Sequence, residues 1–156
     1  LGSSSGAVDR IVSGWQVQGI YTGQSGQALG FGNALFIGDI HNITLPAGQR
    51  SPDRWFNTDA GFEKASAKQL SSNYRLMPSR FSDVRGAGVN QFDLSVIKNT
   101  RINERFNGQF RGEFLNALNH PNFGLPNTTP TSSAFGTVTS QQGYPRRIQL
   151  GFKLLF

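Results

Sequence analysis

Residues able to carry chemistry are few in this chain, and their spacing suits none of the common reactions. The two histidines, His41 and His120, stand far apart, and neither has a partner at His-x-x-x-His or Glu-x-x-His spacing. A zinc site needs several ligands of the right type, so no metal site is expected. Cysteine is absent, which removes thiolate ligands, thiol nucleophiles and disulfides together. Gly23-Gln24-Ser25-Gly26 does not have the G-x-S-x-G spacing of a nucleophile elbow. Gly30-Phe31-Gly32 lacks the third glycine and the following helix of a dinucleotide fingerprint. No nucleophile–base arrangement emerges, so neither a catalytic residue nor a cofactor is expected, and the chain does not read as an enzyme.

The net charge of +6, from 15 basic and 9 acidic residues, raises the question of nucleic acid. Its distribution answers it. Between Gly23 and Asn90, Arg50, Arg54, Lys64, Lys68, Arg75, Arg80 and Arg85 are interspersed with Asp39, Asp53, Asp59, Glu63 and Asp83. No basic stripe forms along one element, so the charges read as a solvated surface and no nucleic-acid partner is expected.

The elements that must position these side chains are strands. From Ile148 every second residue is apolar: Ile148, Leu150, Phe152, Leu154 and Phe156, separated by Gln149, Gly151, Lys153 and Leu155. A helix would scatter these five around its circumference, whereas a strand gathers them on one face. Phe106, Gly108, Phe110, Gly112 and Phe114 likewise alternate with Asn107, Gln109, Arg111 and Glu113. Phe92, Leu94 and Val96 alternate with Gln91, Asp93 and Ser95 until Ile97 breaks the count. Lys98 to Arg105 then reads as a short turn with Asn103-Glu104 at its tip, making a hairpin. A fourth strand is expected over Trp15, Val17, Gly19 and Tyr21, with Gln16, Gln18, Ile20 and Thr22 opposite.

Long polar stretches separate these strands. Gly23 to Asn90 reads mostly as loop, with added strand within Gln27 to Ile40 and a short helix over Ala60 to Leu70. Asn119 to Pro145 carries Pro121, Pro126 and Pro130, with Phe135 to Thr139 as a short extended piece. Connections this long are uncommon in compact soluble domains. Outer-membrane barrels, by contrast, alternate short periplasmic turns with long extracellular loops, and the order long, short, long fits that scheme. No window holds the ~18 apolar residues of a spanning helix, and 37 % apolar composition with 13 Phe and 19 Gly is compatible with barrel strands.

Cost assigns the faces. An Arg or Lys facing lipid near the midplane costs about 2–4 kcal/mol. Asp93, Arg111, Glu113 and Lys153 are therefore expected to face the lumen, as ion pairs solvated by water or a plug. Phe106, Phe110, Phe114, Ile148, Leu150, Phe152 and Leu154 are expected to face lipid. Phe106 to Phe114 spans about 27 Å, or roughly 20 Å vertically when tilted, near the ~25 Å apolar band of such barrels. A secreted β-sandwich binding module would show the same alternation with its apolar face turned into a core, and periodicity alone does not separate the two.

Three stretches resemble the closing section of TonB-dependent outer-membrane receptors, especially the Oar-like group of acidobacterial genomes. These are Gly14-Trp15-Gln16-Val17-Gln18-Gly19-Ile20 with Gln24-Ser25-Gly26-Gln27, then Asn90 to Ser95 with Lys98-Asn99-Thr100 and Phe110 through Asn116 to the run Asn119-His120-Pro121-Asn122-Phe123-Gly124, and finally Arg146 to Phe156. Ile37 to Leu76 matches in character only. The resemblance implies an outer-membrane location in a Gram-negative-type bacterium and a barrel of about twenty-two strands with a plug, powered by the TonB complex through an N-terminal box. It also implies that terminal Phe156 is similar to the signal read by the barrel-assembly machinery. The expected fold is all-β, with about four antiparallel up-and-down strands as part of a transmembrane barrel. Residues 1–156 then read as its C-terminal fragment, with plug and earlier strands absent and an uptake substrate that the sequence does not name. Leu1-Gly2-Ser3-Ser4-Ser5-Gly6 reads as an added linker or a flexible turn of the parent.

Overall fold

The computed structural model describes residues 6–69, 72, 74, 75 and 77–156. These divide into two compact units: residues 6–23, 90–120 and 144–156 form the first, and the described residues of 24–89 with 121–143 the second.

The first unit is a four-stranded sheet preceded by a short helix. In chain order its elements are α1 (Gly6–Val12), β1 (Trp15–Gln24), β4 (Val89–Arg101), β5 (Asn107–Leu115) and β8 (Arg147–Leu155). The second unit supplies β2 (Ala28–Leu29), β3 (Phe81–Arg85), β6 (Asn122–Phe123) and β7 (Gln141–Gln142). In the large sheet the strand order is β1-β4-β5-β8. Pairing is antiparallel between β4 and β5 and between β5 and β8. Gly14 lies against Asn99 and Gly19 against Asp93, so β1 also runs antiparallel to β4. All four strands expected from alternation are present, in up-and-down order.

The tight turn between β4 and β5 shows why the hairpin forms here. Asn103 Oδ1 accepts hydrogen bonds from the backbone N–H groups of Arg105 (2.9 Å) and Phe106 (2.8 Å). Ile102 N–H donates to the Phe106 carbonyl at 2.9 Å. Asparagine folds its own chain back in this way, so the turn needs no glycine. The turn is shorter than the alternation suggests, because Lys98, Asn99, Thr100 and Arg101 belong to β4. Ile97 does not end the strand. It continues the pleat and lands, buried, on the polar face.

The second unit departs most from expectation. The stretches that read as loops contain little regular structure, yet they share a core. Phe31, Phe56, Phe62, Phe81 and Phe135 pack there with Leu29, Ile43, Met77 and Val84. Phe56 meets Phe31 edge-on at 5.1 Å between ring centroids and Phe135 at 5.2 Å. Phe62 meets Phe135 at 5.1 Å. Edge-to-face rings at these separations add about 0.5–1.5 kcal/mol per pair beyond burial. Aromatic side chains thus let a chain with short strands close a core. Over Ala60 to Leu70 the expected helix is reduced to a 3₁₀ turn at Ser66–Lys68, with Leu70 outside the described residues. Added strand within Gln27 to Ile40 is limited to β2 and a bridge from Phe36 to Phe62.

Phe135 to Thr139 is not an extended piece. A turn brings Thr137 N–H to the Ala134 carbonyl at 3.0 Å and points Phe135 inward. Gly136 makes that turn with φ of +83°, and a Cβ there would meet the Thr58 methyl group. An L residue in this region costs about 1–2 kcal/mol before any clash. Gly136→Ala is therefore expected to destabilise this unit by about 2 kcal/mol or more, seen as faster proteolysis between residues 121 and 143.

Candidate membrane-spanning sheet

The register fixes which side chains share a face, because residues directly opposite each other in a ladder point the same way. Between β5 and β8, Phe110 lies opposite Phe152, Gly112 opposite Leu150, Phe114 opposite Ile148 and Gly108 opposite Leu154. Between β4 and β5, Leu94 lies opposite Phe114 and Val96 opposite Gly112. Six of the seven residues expected to face lipid therefore occupy one face. Phe106 is the exception. It lies in the turn before β5, and its ring sits 6.5 Å from that of Phe156 at the same end of the sheet.

This apolar face is open. Leu150 is 65 % exposed and Phe152 70 %, with Phe110, Ile148 and Leu154 also exposed. A soluble β-sandwich buries such a face, and contiguous exposed apolar surface marks a membrane or partner contact. Its glycines are covered by aromatic rings. A Cβ on Gly108 would lie 3.5 Å from the Phe152 ring, and one on Gly112 would lie 3.5 Å from the Phe114 ring. On β1 the Phe92 ring covers Gly19 in the same manner. The alternation of Phe with Gly is thus a packing device, in which a large ring lies over the gap its small neighbour leaves.

The opposite face is polar with an apolar patch. Gln109 pairs with Lys153, Glu113 with Gln149 and Ile97 with Arg111. Arg111 and Glu113 lie 3.4 Å apart. Both are substantially exposed, where a pair of this kind is worth at most about 1 kcal/mol. Beside them Ile20, Ile97 and Leu115 line a shallow depression of about 310 Å³, together with Gln18 and Ser95.

Asp93 has a more definite role. Its Oδ1 accepts from the Asn116 backbone N–H at 2.7 Å and, with Oδ2, from Gln91 Nε2 at 3.0 and 3.1 Å. It pins the chain where β5 ends, so it is a turn-holding residue as well as one on the polar face.

In the sequence Asn116 stands out only within the stretch that carries the family resemblance, yet it organises this end of the sheet. It is 1 % exposed and has φ of +51°, a conformation asparagine tolerates better than other residues with a Cβ. Its Nδ2 donates to the carbonyls of His120 (3.0 Å) and Tyr144 (3.1 Å), and its Oδ1 accepts from His120 N–H at 3.0 Å. The His120 backbone, not its imidazole, is what this network uses. Asn116→Ala removes three hydrogen bonds, takes the donor from two part-buried carbonyls and places Ala at positive φ. We expect a loss of about 2–4 kcal/mol, measured by urea unfolding in detergent.

Lys98 is the largest surprise of the sheet. It lies opposite Phe110, on the apolar face, whereas the alternation places it in the turn. Its Nζ donates to the carbonyls of Arg10 (2.7 Å), Ile11 (3.2 Å) and Ser13, and lies 5.3 Å from the centre of the Trp15 ring. Counting the pleat past Ile97 would have placed it correctly.

In the second unit a polar cleft of about 380 Å³ is lined by Gln24, Ser25, Gln27, Ser140, Gln141 and Gln142, among others. Among the described residues no group of three or more His, Cys, Asp or Glu side chains is gathered as for a metal ion. His41 takes part through its backbone, its N–H capping on Asp39 Oδ1 at 2.9 Å. On the surface of the same unit, the hydrogen bond and charge of Lys64 hold the Asp59 carboxyl below its ordinary range.

The span is long enough to cross a bilayer. Nine residues in β5 and nine in β8 rise about 30 Å, or about 23 Å vertically at a tilt near 40°. That is close to the ~25 Å apolar band, and spanning strands use about 9–11 residues. A family model described as an outer membrane beta barrel domain matches residues 1–149. No curated protein and no solved structure matches the chain.

Proposed function

The chain belongs to the outer membrane beta barrel domain family, and from this we propose that it is the C-terminal portion of a TonB-dependent transporter. As a member of that family it resides in the outer membrane of a Gram-negative-type bacterium. The carrying observation is the open sheet. Four strands of spanning length display one exposed apolar face and one polar face, with strand edges at β1 and β8 unpaired among the described residues. The smallest barrels need eight strands, so this sheet works as part of a larger wall and transports nothing alone.

In this reading the face of Phe110, Phe114, Ile148, Leu150, Phe152 and Leu154 meets lipid. Asp93, Arg111, Glu113 and Lys153 face the lumen and the plug. Both long connections leave the sheet at one end, opposite the tight turn, which corresponds to the extracellular side. They help to capture a bulky nutrient, and the chain carries out no catalysis. Its partners are outer-membrane lipid, the barrel-assembly machinery reading Phe156, the rest of the barrel with its plug, and the TonB complex through an N-terminal part; nucleic acid is not among them. The TonB-dependent, Oar-like assignment is supported by the resemblance of Phe110 to Gly124 and of Arg146 to Phe156.

Two experiments test the levels separately. Expressed without detergent, the chain is expected to aggregate and to acquire β-structure only in detergent or lipid. A soluble monomer that melts cooperatively would sink the membrane reading in favour of a secreted β-sandwich. Reading the gene upstream tests the finer level: a plug domain and TonB box are expected, whereas a handful of further strands alone would indicate a simple closed barrel. Deleting Phe156 from the intact protein is expected to impair its assembly in the outer membrane.

A further inference from the structure

The helix α1 and the side chains that fasten it form a surface that the transporter reading does not use. Along α1, Val8, Ile11 and Val12 follow the i, i+3, i+4 spacing of one helix face, and all three are exposed. Trp15, the first residue of β1, is held beside the end of the helix by its hydrogen bond to Ile11 and is itself 54 % exposed. Asp9 and Arg10 fall on the other side of the turn. A lone seven-residue helix is not stable in water, so something must hold it.

Two side chains do so. Trp15 Nε1 donates to the Ile11 carbonyl at 2.8 Å, and Lys98 Nζ binds the carbonyls of Arg10, Ile11 and Ser13. The ammonium thus satisfies the acceptors left free at the helix C-terminus, where the helix dipole favours a cation. Lys98 rises from the apolar face of the sheet, in the row of Phe110 and Phe152. The C-terminal end of α1 is thereby tied to that face, at the end of the sheet that carries the tight turn and Phe156. A charge on a lipid-facing row is costly unless its head reaches polar groups near the interface, and here the helix supplies them.

We infer that α1 is an interfacial anchor: its Val8-Ile11-Val12 stripe, with Trp15 of β1 beside it, seats in the boundary between phospholipid headgroups and acyl chains, beside the sheet. This rests on the reading of the Phe110–Phe152 face as lipid-facing, to which Lys98 ties the end of the helix. The occupant is the bilayer itself, since a helix with an apolar stripe beside a spanning wall sits about 5–10 Å into that boundary. Lys98 then serves two ends, capping the helix and removing its own charge from hydrocarbon.

Depth-dependent quenching tests this. The chain has no cysteine, so Ile11→Cys, Asp9→Cys and Leu150→Cys each give one labelling site for an environment-sensitive dye. The labelled proteins are assembled in vesicles of phosphatidylethanolamine and phosphatidylglycerol carrying a quencher either near the headgroup or deep in the acyl chain. We expect the label at 11 to be quenched by the shallow lipid at least about twofold more than the label at 9, and the label at 150 to respond to the deep one. Adding Lys98→Met to Ile11→Cys is expected to lower quenching at 11. Labels at 9 and 11 equally in water, with 150 still quenched, would overturn the anchor and leave the membrane wall standing. Absence of lipid quenching at 150 would overturn the wall and the anchor with it.

Discussion

Leu150→Arg is expected to prevent stable insertion, while Gln149→Arg, one residue away, is expected to insert normally. Leu150 lies opposite Gly112 on the face it shares with Phe110 and Phe152, and it is 65 % exposed. Gln149 lies opposite Glu113 on the polar face. An Arg on the lipid face near the midplane costs about 2–4 kcal/mol, which is a large share of the 5–15 kcal/mol that holds a typical fold together. At Gln149 the same charge meets water and a carboxylate. The measurement is heat-modifiable migration and protease resistance of membranes carrying each variant. Equal behaviour of the two would remove the distinction between the faces, and loss at Gln149 alone would invert it.

Phe56→Ala is expected to cost about 3–5 kcal/mol, the usual penalty for emptying an aromatic site in a packed core. Phe56 is fully buried, with rings of Phe31 and Phe135 edge-on to it. The effect should be confined to the second unit, because the sheet gains its stability from its own ladders. Amide exchange is expected to rise over residues 24–89 and 121–143 and to stay unchanged in β5 and β8. A uniform rise would show that the two units unfold together. The surface pair Asp59–Lys64 in the same unit matters far less. Its lowered carboxyl pKa adds stability above the ordinary carboxylate range, lost as pH falls through the lowered value, but the exposed pair contributes at most about 1 kcal/mol.

What the sequence determined by itself is the sheet. Strand residues alternate between two environments, so the polarity of neighbours such as Phe110 and Arg111, or Phe152 and Lys153, reports directly which face each takes. The positions of β1, β4, β5 and β8, and the Asn103 turn, follow from that local pattern. Where polarity and pleat disagree, at Ile97 and Lys98, the count fails. Their placement depends on distant partners: a patch on the polar face with Ile20 and Leu115 for the one, helix carbonyls for the other.

Only the tertiary structure decided the rest. The core of Phe31, Phe56, Phe62, Phe81 and Phe135 draws on residues more than a hundred positions apart with no period between them, so nothing local marks them as neighbours. Asn116 holds its turn through carbonyls at His120 and Tyr144, the second 28 residues onward. A turn-forming residue type predicts a turn, but which strand ends it ties together depends on where the chain returns. Periodicity belongs to elements, and the closing of loops upon one another belongs to the fold.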